Sequence, residues 1–206
     1  MRLIFARHGE STANTLRVFS NRDAVHPLTE KGRLQARDLG ERLAGITFAR
    51  IYTSPVLRAV ETTQIICERL DRDFTITEAL REFDVGELEG RSDEQAWADF
   101  SELWKDWYLN QKPERKFPGG ESLTETRQRG ESFISQLVKD SKIDDTFLCV
   151  SHGGILNALV PGLANPPDYA FLWEHPLKNT DLVILDWDGN QWKCLQWGET
   201  LFSDLP

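Results

Sequence analysis

Two histidines stand directly after short apolar runs, and each is followed by glycine. Leu3-Ile4-Phe5-Ala6 leads into Arg7-His8-Gly9, and Phe147-Leu148-Cys149-Val150 leads into Ser151-His152-Gly153-Gly154. A third run, Ile51-Tyr52-Thr53, leads into Ser54-Pro55-Val56-Leu57-Arg58. In an open α/β sheet, ligands bind beyond the carboxyl ends of the strands. If the three runs are neighbouring strands, two imidazoles and two guanidiniums converge there on one anion with several oxygens. A phosphate monoester fits best, because guanidinium forks match phosphate oxygens two at a time. Asn14 can add an amide donor, and backbone N–H groups around Gly9 or Gly153 can add more.

The same imidazoles can do more than bind. A neutral imidazole nitrogen is a competent nucleophile, so one ring can attack phosphorus. The other ring and both arginines then stabilise the transferring oxygens. The leaving alkoxide needs a proton from a carboxylic acid whose pKa is raised by burial or by the phosphate. Glu82, Asp84, Glu87 and Glu89 all lie between Arg81 and Gly90, and composition does not choose among them. Ser11 and Ser151 beside the histidines do not suggest serine hydrolysis, since no G-x-S-x-G turn is present. A dinuclear metal hydrolase lacks ligands: there are four histidines and no H-x-H or D-x-H cluster.

The elements that must position these groups are legible. The apolar runs have strand length and no clean alternation, as expected for strands covered on both faces. Helices are expected from Thr29 to Leu43, from a Ser54 N-cap to about Leu70, from Ser122 to about Lys139, and from Gly153 to Val160, stopping before Pro161. Ser92-Asp93-Glu94-Gln95 and Ser122-Leu123-Thr124-Glu125 both fit the capping box. Asp181 to Asp186 and Gln191 to Trp197 around Asp188-Gly189-Asn190 read as a hairpin. Strands alternating with helices imply a mainly parallel sheet with helices on both faces. Residues 91–118 hold Trp97, Trp104, Trp107 and Tyr108 among charges, and read as a helical insertion over one edge of the sheet.

Composition bounds the rest. The 206 residues, 40% hydrophobic and 28% charged, suit one globular domain. Twenty-four Lys+Arg against 33 Asp+Glu give −9, a field that repels nucleic acid and anionic membrane. The odd, dispersed cysteines Cys67, Cys149 and Cys194 suggest buried reduced thiols. No apolar run is long enough to span a bilayer, so a cytoplasmic protein is expected.

Taken together the motifs resemble the histidine phosphatase superfamily, also called phosphoglycerate-mutase-like. The match runs through Arg7-His8-Gly9-Glu10-Ser11-Thr12 with Asn14, Pro27-Leu28-Thr29-Glu30-Lys31-Gly32, Tyr52-Thr53-Ser54-Pro55-Val56-Leu57-Arg58 and Glu82 with Gly86, Glu89 and Gly90. It ends with Pro118-Gly119-Gly120-Glu121-Ser122 and Val150-Ser151-His152-Gly153-Gly154. The resemblance implies an α/β fold, a three-layer α/β/α sandwich forming one catalytic domain over residues 1–206. It implies a phosphohistidine on His8, with Arg7, Asn14, Arg58 and His152 binding phosphate. Glu82 would be the proton donor and later the base for water, and no metal or organic cofactor is implied. One stretch departs from the family. Before Pro27 the family often has a glycine followed by Asp, whereas here His26 directly precedes Pro27 in the loop 19–26. That loop normally lines the substrate side, so Ser20 and Asn21 are taken with Gly153 as substrate- or phosphate-binding.

The expected activity is hydrolysis of a small phosphorylated metabolite by a metal-independent phosphomonoesterase. The alternative is a phosphoglycerate-mutase-type isomerase, and behind it a non-catalytic phosphate-binding module. Mutase members usually carry a longer insertion than residues 91–118 and tend to have Asn where Gly154 stands. Nucleic acid and membrane are not expected partners, and a homodimer is left open.

Overall fold

In the computed structural model, which describes residues 1–22, 25–164 and 167–202, a seven-stranded sheet is built around β1 (Arg2–Arg7). The others are β2 (Arg50–Thr53), β3 (Thr75–Ile76), β4 (Thr146–Ser151), β5 (Leu182–Trp187), β6 (Trp192–Trp197) and β7 (Thr200–Leu201). The order is β3-β2-β4-β1-β5-β6-β7. Side chains alternate across a strand, so β1 feeds two cores. Leu3 and Phe5 point to one face, with Phe147 and Cys149 of β4. There they pack on α5 (Leu123–Asp140) and α6 (Gly153–Leu163) through Ile134, Leu137, Leu156 and Leu159. Ile4 and Ala6 point to the other face, with Leu148 and Val150, onto α2 (Glu30–Leu43) and α3 (Leu57–Leu70). The three layers follow from this double burial, which also explains why the strand sequences do not alternate in polarity.

The sheet is mixed in equal parts rather than mainly parallel. β3-β2-β4-β1 pair in parallel, while β1-β5, β5-β6 and β6-β7 pair antiparallel. The sequence shows the β5–β6 hairpin but not that β5 returns antiparallel against β1. For the site, the parallel half matters. Arg7 lies in register with Ser151, and Thr53 with Val150. The carboxyl ends of β2, β4 and β1 therefore open side by side.

Four local expectations shift. Ser54 does not cap α3, because its hydroxyl is committed elsewhere; the helix begins at Leu57 behind an extended Val56. Asp93, not Ser92, caps α4 (Glu94–Tyr108), its carboxylate accepting from Ala96 N. Pro161 does not stop α6, which runs on to Leu163. A proline withholds the N–H that the carbonyl four residues earlier would accept, and here the Tyr108 hydroxyl donates to that Asn157 carbonyl instead, at 2.7 Å. Finally, the insertion does not lie over a sheet edge. Leu103, Trp104 and Trp107 of α4 pack with Phe19, Phe83, Val85, Leu88 and Ala158, so the helix roofs the loops beyond the strand ends.

The loop around Phe83 is held against the Pro-Gly-Gly turn. Gly86 has φ +57°, and a Cβ there would stand 2.3 Å from the Pro118 carbonyl oxygen. Asp23 and Ala24, in the loop where the sequence departs from the family it resembles, lie outside the described residues. Among the described residues no helix is long and apolar enough to cross a membrane.

Candidate active site

His8 leaves the end of β1 with its backbone N–H donating to Ser151 O at 3.0 Å. Its ring is fixed from both sides. Nδ1 donates to the carbonyl of Gly9 at 2.7 Å, which leaves Nε2 unprotonated. Arg58 Nε donates to that Nε2 at 3.0 Å. Gly9 permits the close approach of α2, since a Cβ would lie 2.6 Å from Gly32 O. His8 is buried. Burial, and then the Arg58 and Arg7 guanidiniums, hold its pKa well below 6.5, so the ring is neutral.

His152 caps α6 from the end of β4 and meets His8 edge to face, ring centroids 5.1 Å apart. Its Nε2 contacts Ser54 Oγ at 2.7 Å. Ser54 Oγ already accepts from Val56 N at 3.2 Å, so its own hydrogen is available for Nε2. With the Ser54 hydroxyl donating to Nε2, the ring proton would sit on Nδ1, which is buried without a partner. Arg7 repeats the pattern: one terminal nitrogen donates to Leu177 O at 2.5 Å, while Nε is buried and unpartnered. Buried polar nitrogens without a partner are costly unless a ligand answers them. Burial lowers the Arg7 pKa and brings Arg58 down to about 10, while both groups remain cationic near neutrality.

Glu82 stands at the N-terminus of α6. Its carboxylate accepts from Gly154 N at 2.9 Å, Ile155 N at 2.6 Å and Phe83 N at 3.0 Å. This approach requires glycine at 154, where a Cβ would lie 2.7 Å from Glu82 Oε1 and from Phe83 Cε1. Burial is the strongest influence and raises the Glu82 pKa, against the pull of the three amides and Arg58. Of the other acids of the segment, Glu87 is exposed and the remaining two are occupied. Asp84 pairs with Arg22 and accepts from Gly86 N, and Glu89 accepts from the Asn21 and Arg22 amides.

One cavity of about 410 Å³ is lined by Arg7, His8, Asn14, Arg58, Glu82 and Gly153 among others. Ser20 and Asn21 also line it, but their polar groups are engaged within the protein: the Ser20 carbonyl accepts from Arg58 at 2.5 Å, Asn21 Oδ1 accepts from Arg58 at 3.5 Å, and Asn21 Nδ2 donates to Phe83 O at 2.9 Å. Asn14 Oδ1 is engaged by the Ser11 amide and hydroxyl, closing a capping box. The Gly9 amide, a candidate anion donor by sequence, donates to Thr62 Oγ1 instead. His26 contacts Ser20 Oγ, and His175 stacks on Phe171 away from the cavity.

Sequence reasoning missed Ser54 as the partner of His152, and Leu177 and Asn179 as props of β1. Asn179 Nδ2 donates to His8 O at 3.0 Å. A polar Asn just after Pro176-Leu177-Lys178 carries no motif, so nothing in the chain signalled it. Among the described residues, no three His, Cys, Asp or Glu side chains are grouped to hold a metal ion.

A family model described as the histidine phosphatase superfamily (branch 1) matches residues 3–200. A Salmonella choleraesuis (strain SC-B67) protein named "Probable phosphoglycerate mutase GpmB" is 29% identical over 211 residues, covering 100% of this chain and 96% of that relative. Among solved structures, a mycobacterial glucosyl-3-phosphoglycerate phosphatase complexed with VO3 is 25% identical. Its TM-score is 0.83, over 97% of this chain and 99% of that one. The alpha-ribazole phosphatase from Shigella flexneri is 26% identical with a TM-score of 0.77, covering 97% and 96%.

Proposed function

Since the chain belongs to the histidine phosphatase superfamily, we propose that it is a phosphomonoesterase working through a covalent phosphohistidine on His8. The observation that carries this reading is the pair of unpartnered buried nitrogens, the Arg7 Nε donor and His152 Nδ1. They flank a neutral imidazole whose Nε2 is already set against Arg58. Together these groups form a cup for one tetrahedral oxyanion.

As the Arg58 guanidinium turns from His8 Nε2 to the phosphate oxygens, the freed Nε2 lone pair attacks phosphorus, the P–O ester bond breaks, and the electron pair leaves with the alcohol oxygen. Glu82, its proton retained by burial and by the incoming anion, gives that proton to the alkoxide. Arg7, Arg58 and His152 stay on the three transferring oxygens. Water then attacks the phosphohistidine, Glu82 takes its proton, and the P–N electron pair returns to Nε2. Arg7 Nε is unpartnered before the substrate arrives, so the charge developing in either step meets a donor already in place. No step requires a metal ion.

A second reading has a specific basis in the relative named for phosphoglycerate mutase. It shares the first half-reaction and differs in the acceptor, a second hydroxyl instead of water. Assays of ethyl phosphate with and without chelator, on the wild type and His8→Asn, test the proposal. Release of inorganic phosphate that ignores chelator and disappears in His8→Asn supports it. Hydrolysis that survives His8→Asn defeats it. Interconversion of phosphoglycerates outpacing hydrolysis selects the mutase reading.

A further inference from the structure

A second hollow of about 320 Å³ opens beside the catalytic cavity. Trp97, Phe100, Trp104, Asn157 and Pro176 line both. Tyr169 and Trp173 of α7 (Tyr169–Glu174) complete its far wall. The rings form a continuous run: Tyr108 stacks on Trp104 and on Tyr169, and Tyr169 leans on Trp173. Trp173 is 62% exposed at the rim.

None of the residues lining this hollow is charged. The nearby cations are engaged elsewhere: Arg17 lies over the Trp97 ring, and Lys105 pairs with Glu102 at 2.6 Å. A carboxylate or second phosphate placed there would be desolvated without a partner. An aromatic or flat apolar body would gain from burial and ring stacking. Asn157, which lines the hollow, also carries an unanswered polar atom. Asn157 Oδ1 is buried without a hydrogen-bond partner. Asn157 follows Gly154 by three positions on α6, so it shares that helix face, about one turn or ~5 Å further along.

Building on the catalytic reading, we infer that the hollow holds the alcohol part of the substrate, an aryl or otherwise flat apolar group. That group carries a hydroxyl or N–H about one helical turn from the phosphorus, which donates to Asn157 Oδ1. The substrate class is then a phosphomonoester of an aromatic or heteroaromatic alcohol, and phosphoglycerates are disfavoured.

The test separates this claim from the catalytic one by using ligands that cannot turn over. Affinities of phenethylphosphonate and ethylphosphonate are measured by calorimetry on the wild type, Trp173→Ala and Asn157→Leu. The phenyl group should tighten binding by roughly 10- to 100-fold. Trp173→Ala should shrink that ratio several-fold, and its exposed side chain leaves the core intact. Asn157→Leu should leave the ratio standing but erase any extra affinity of an analogue bearing a hydroxyl on the ring. Equal affinity of the two phosphonates, or a ratio untouched by Trp173→Ala, overturns the inference. Turnover of ethyl phosphate by the same preparation reports separately on the cup: its absence would count against the phosphatase and not against the hollow.

Discussion

Replacing Gly154 with alanine tests the acid–base assignment at the one point where geometry sets a number. The new Cβ would stand 2.7 Å from Glu82 Oε1, whereas ordinary contact begins at 3.4 Å. The carboxyl must retreat by about 0.7 Å, away from the Gly154 and Ile155 amides. Misplacement on a 1 Å scale costs on the order of 10²-fold in rate, so kcat/KM for ethyl phosphate should fall roughly 10- to 100-fold. Weakening charge-assisted hydrogen bonds worth about 1.5–3 kcal/mol outweighs the ~0.5–1 kcal/mol that alanine gains over glycine in a helix. The same Cβ also stands 2.7 Å from Cε1 of the buried Phe83 ring, and overpacking adds about 1–3 kcal/mol, so the variant should be measurably less stable yet folded. The sharper signature comes from nitrophenyl phosphate, whose leaving group needs no proton. The variant should still release a rapid burst of nitrophenol and then turn over slowly, because Glu82 is displaced for the water step. Gly45→Ala, where an added Cβ meets nothing within 4 Å, is the control. A Gly154→Ala enzyme with undiminished activity on ethyl phosphate would refute Glu82 as the acid in this position.

The pH profile should be broad on the acid side. His8 is held well below 6.5, so kcat should persist below that pH, and it should fall on the alkaline side as the raised Glu82 carboxyl ionises; an acid limb centred at 6.5 or above argues against a buried neutral nucleophile. Stability follows the same groups. His8 and His152 take protons in the unfolded chain but not in the fold, so unfolding free energy should drop as pH falls below ~6.5, by up to about 1.4 kcal/mol per pH unit for each, as denaturant titrations would read. Tyr108→Phe removes the donor that satisfies the Asn157 carbonyl beside Pro161, and should cost about 1–3 kcal/mol of stability in thermal unfolding.

How far the chain discloses its structure depends on whether local chemistry or long-range pairing decides. The three strand ends with Arg7, His8, Arg58 and His152 were legible because a βα unit writes strand, turn and cap within a dozen residues. The two capped helices at Thr29 and Ser122 were legible for the same reason. The antiparallel return of β5 was hidden, since nothing within Leu182–Trp187 says which strand it will flank. Ser54 looked like a helix cap because a hydroxyl before Pro55 suits one; that its hydroxyl turns to His152, 98 residues away, is a tertiary fact. Pro161 misled through the opposite error, as a local rule was overridden by a donor from another helix. Glu82 was singled out from its acidic neighbours only by resemblance; the structure supplies a physical reason, since Asp84 and Glu89 are tied to loop partners and Glu82 faces the cavity.

Trapping the intermediate tests the account most directly. Wild-type protein mixed with nitrophenyl phosphate and quenched in denaturing base, which preserves phosphohistidine, is digested and mapped by mass spectrometry. One phosphoryl group is predicted on the peptide containing His8, abundant in Gly154→Ala and absent from His8→Asn. Steady turnover with no phosphorylated His8 at any time point would contradict it.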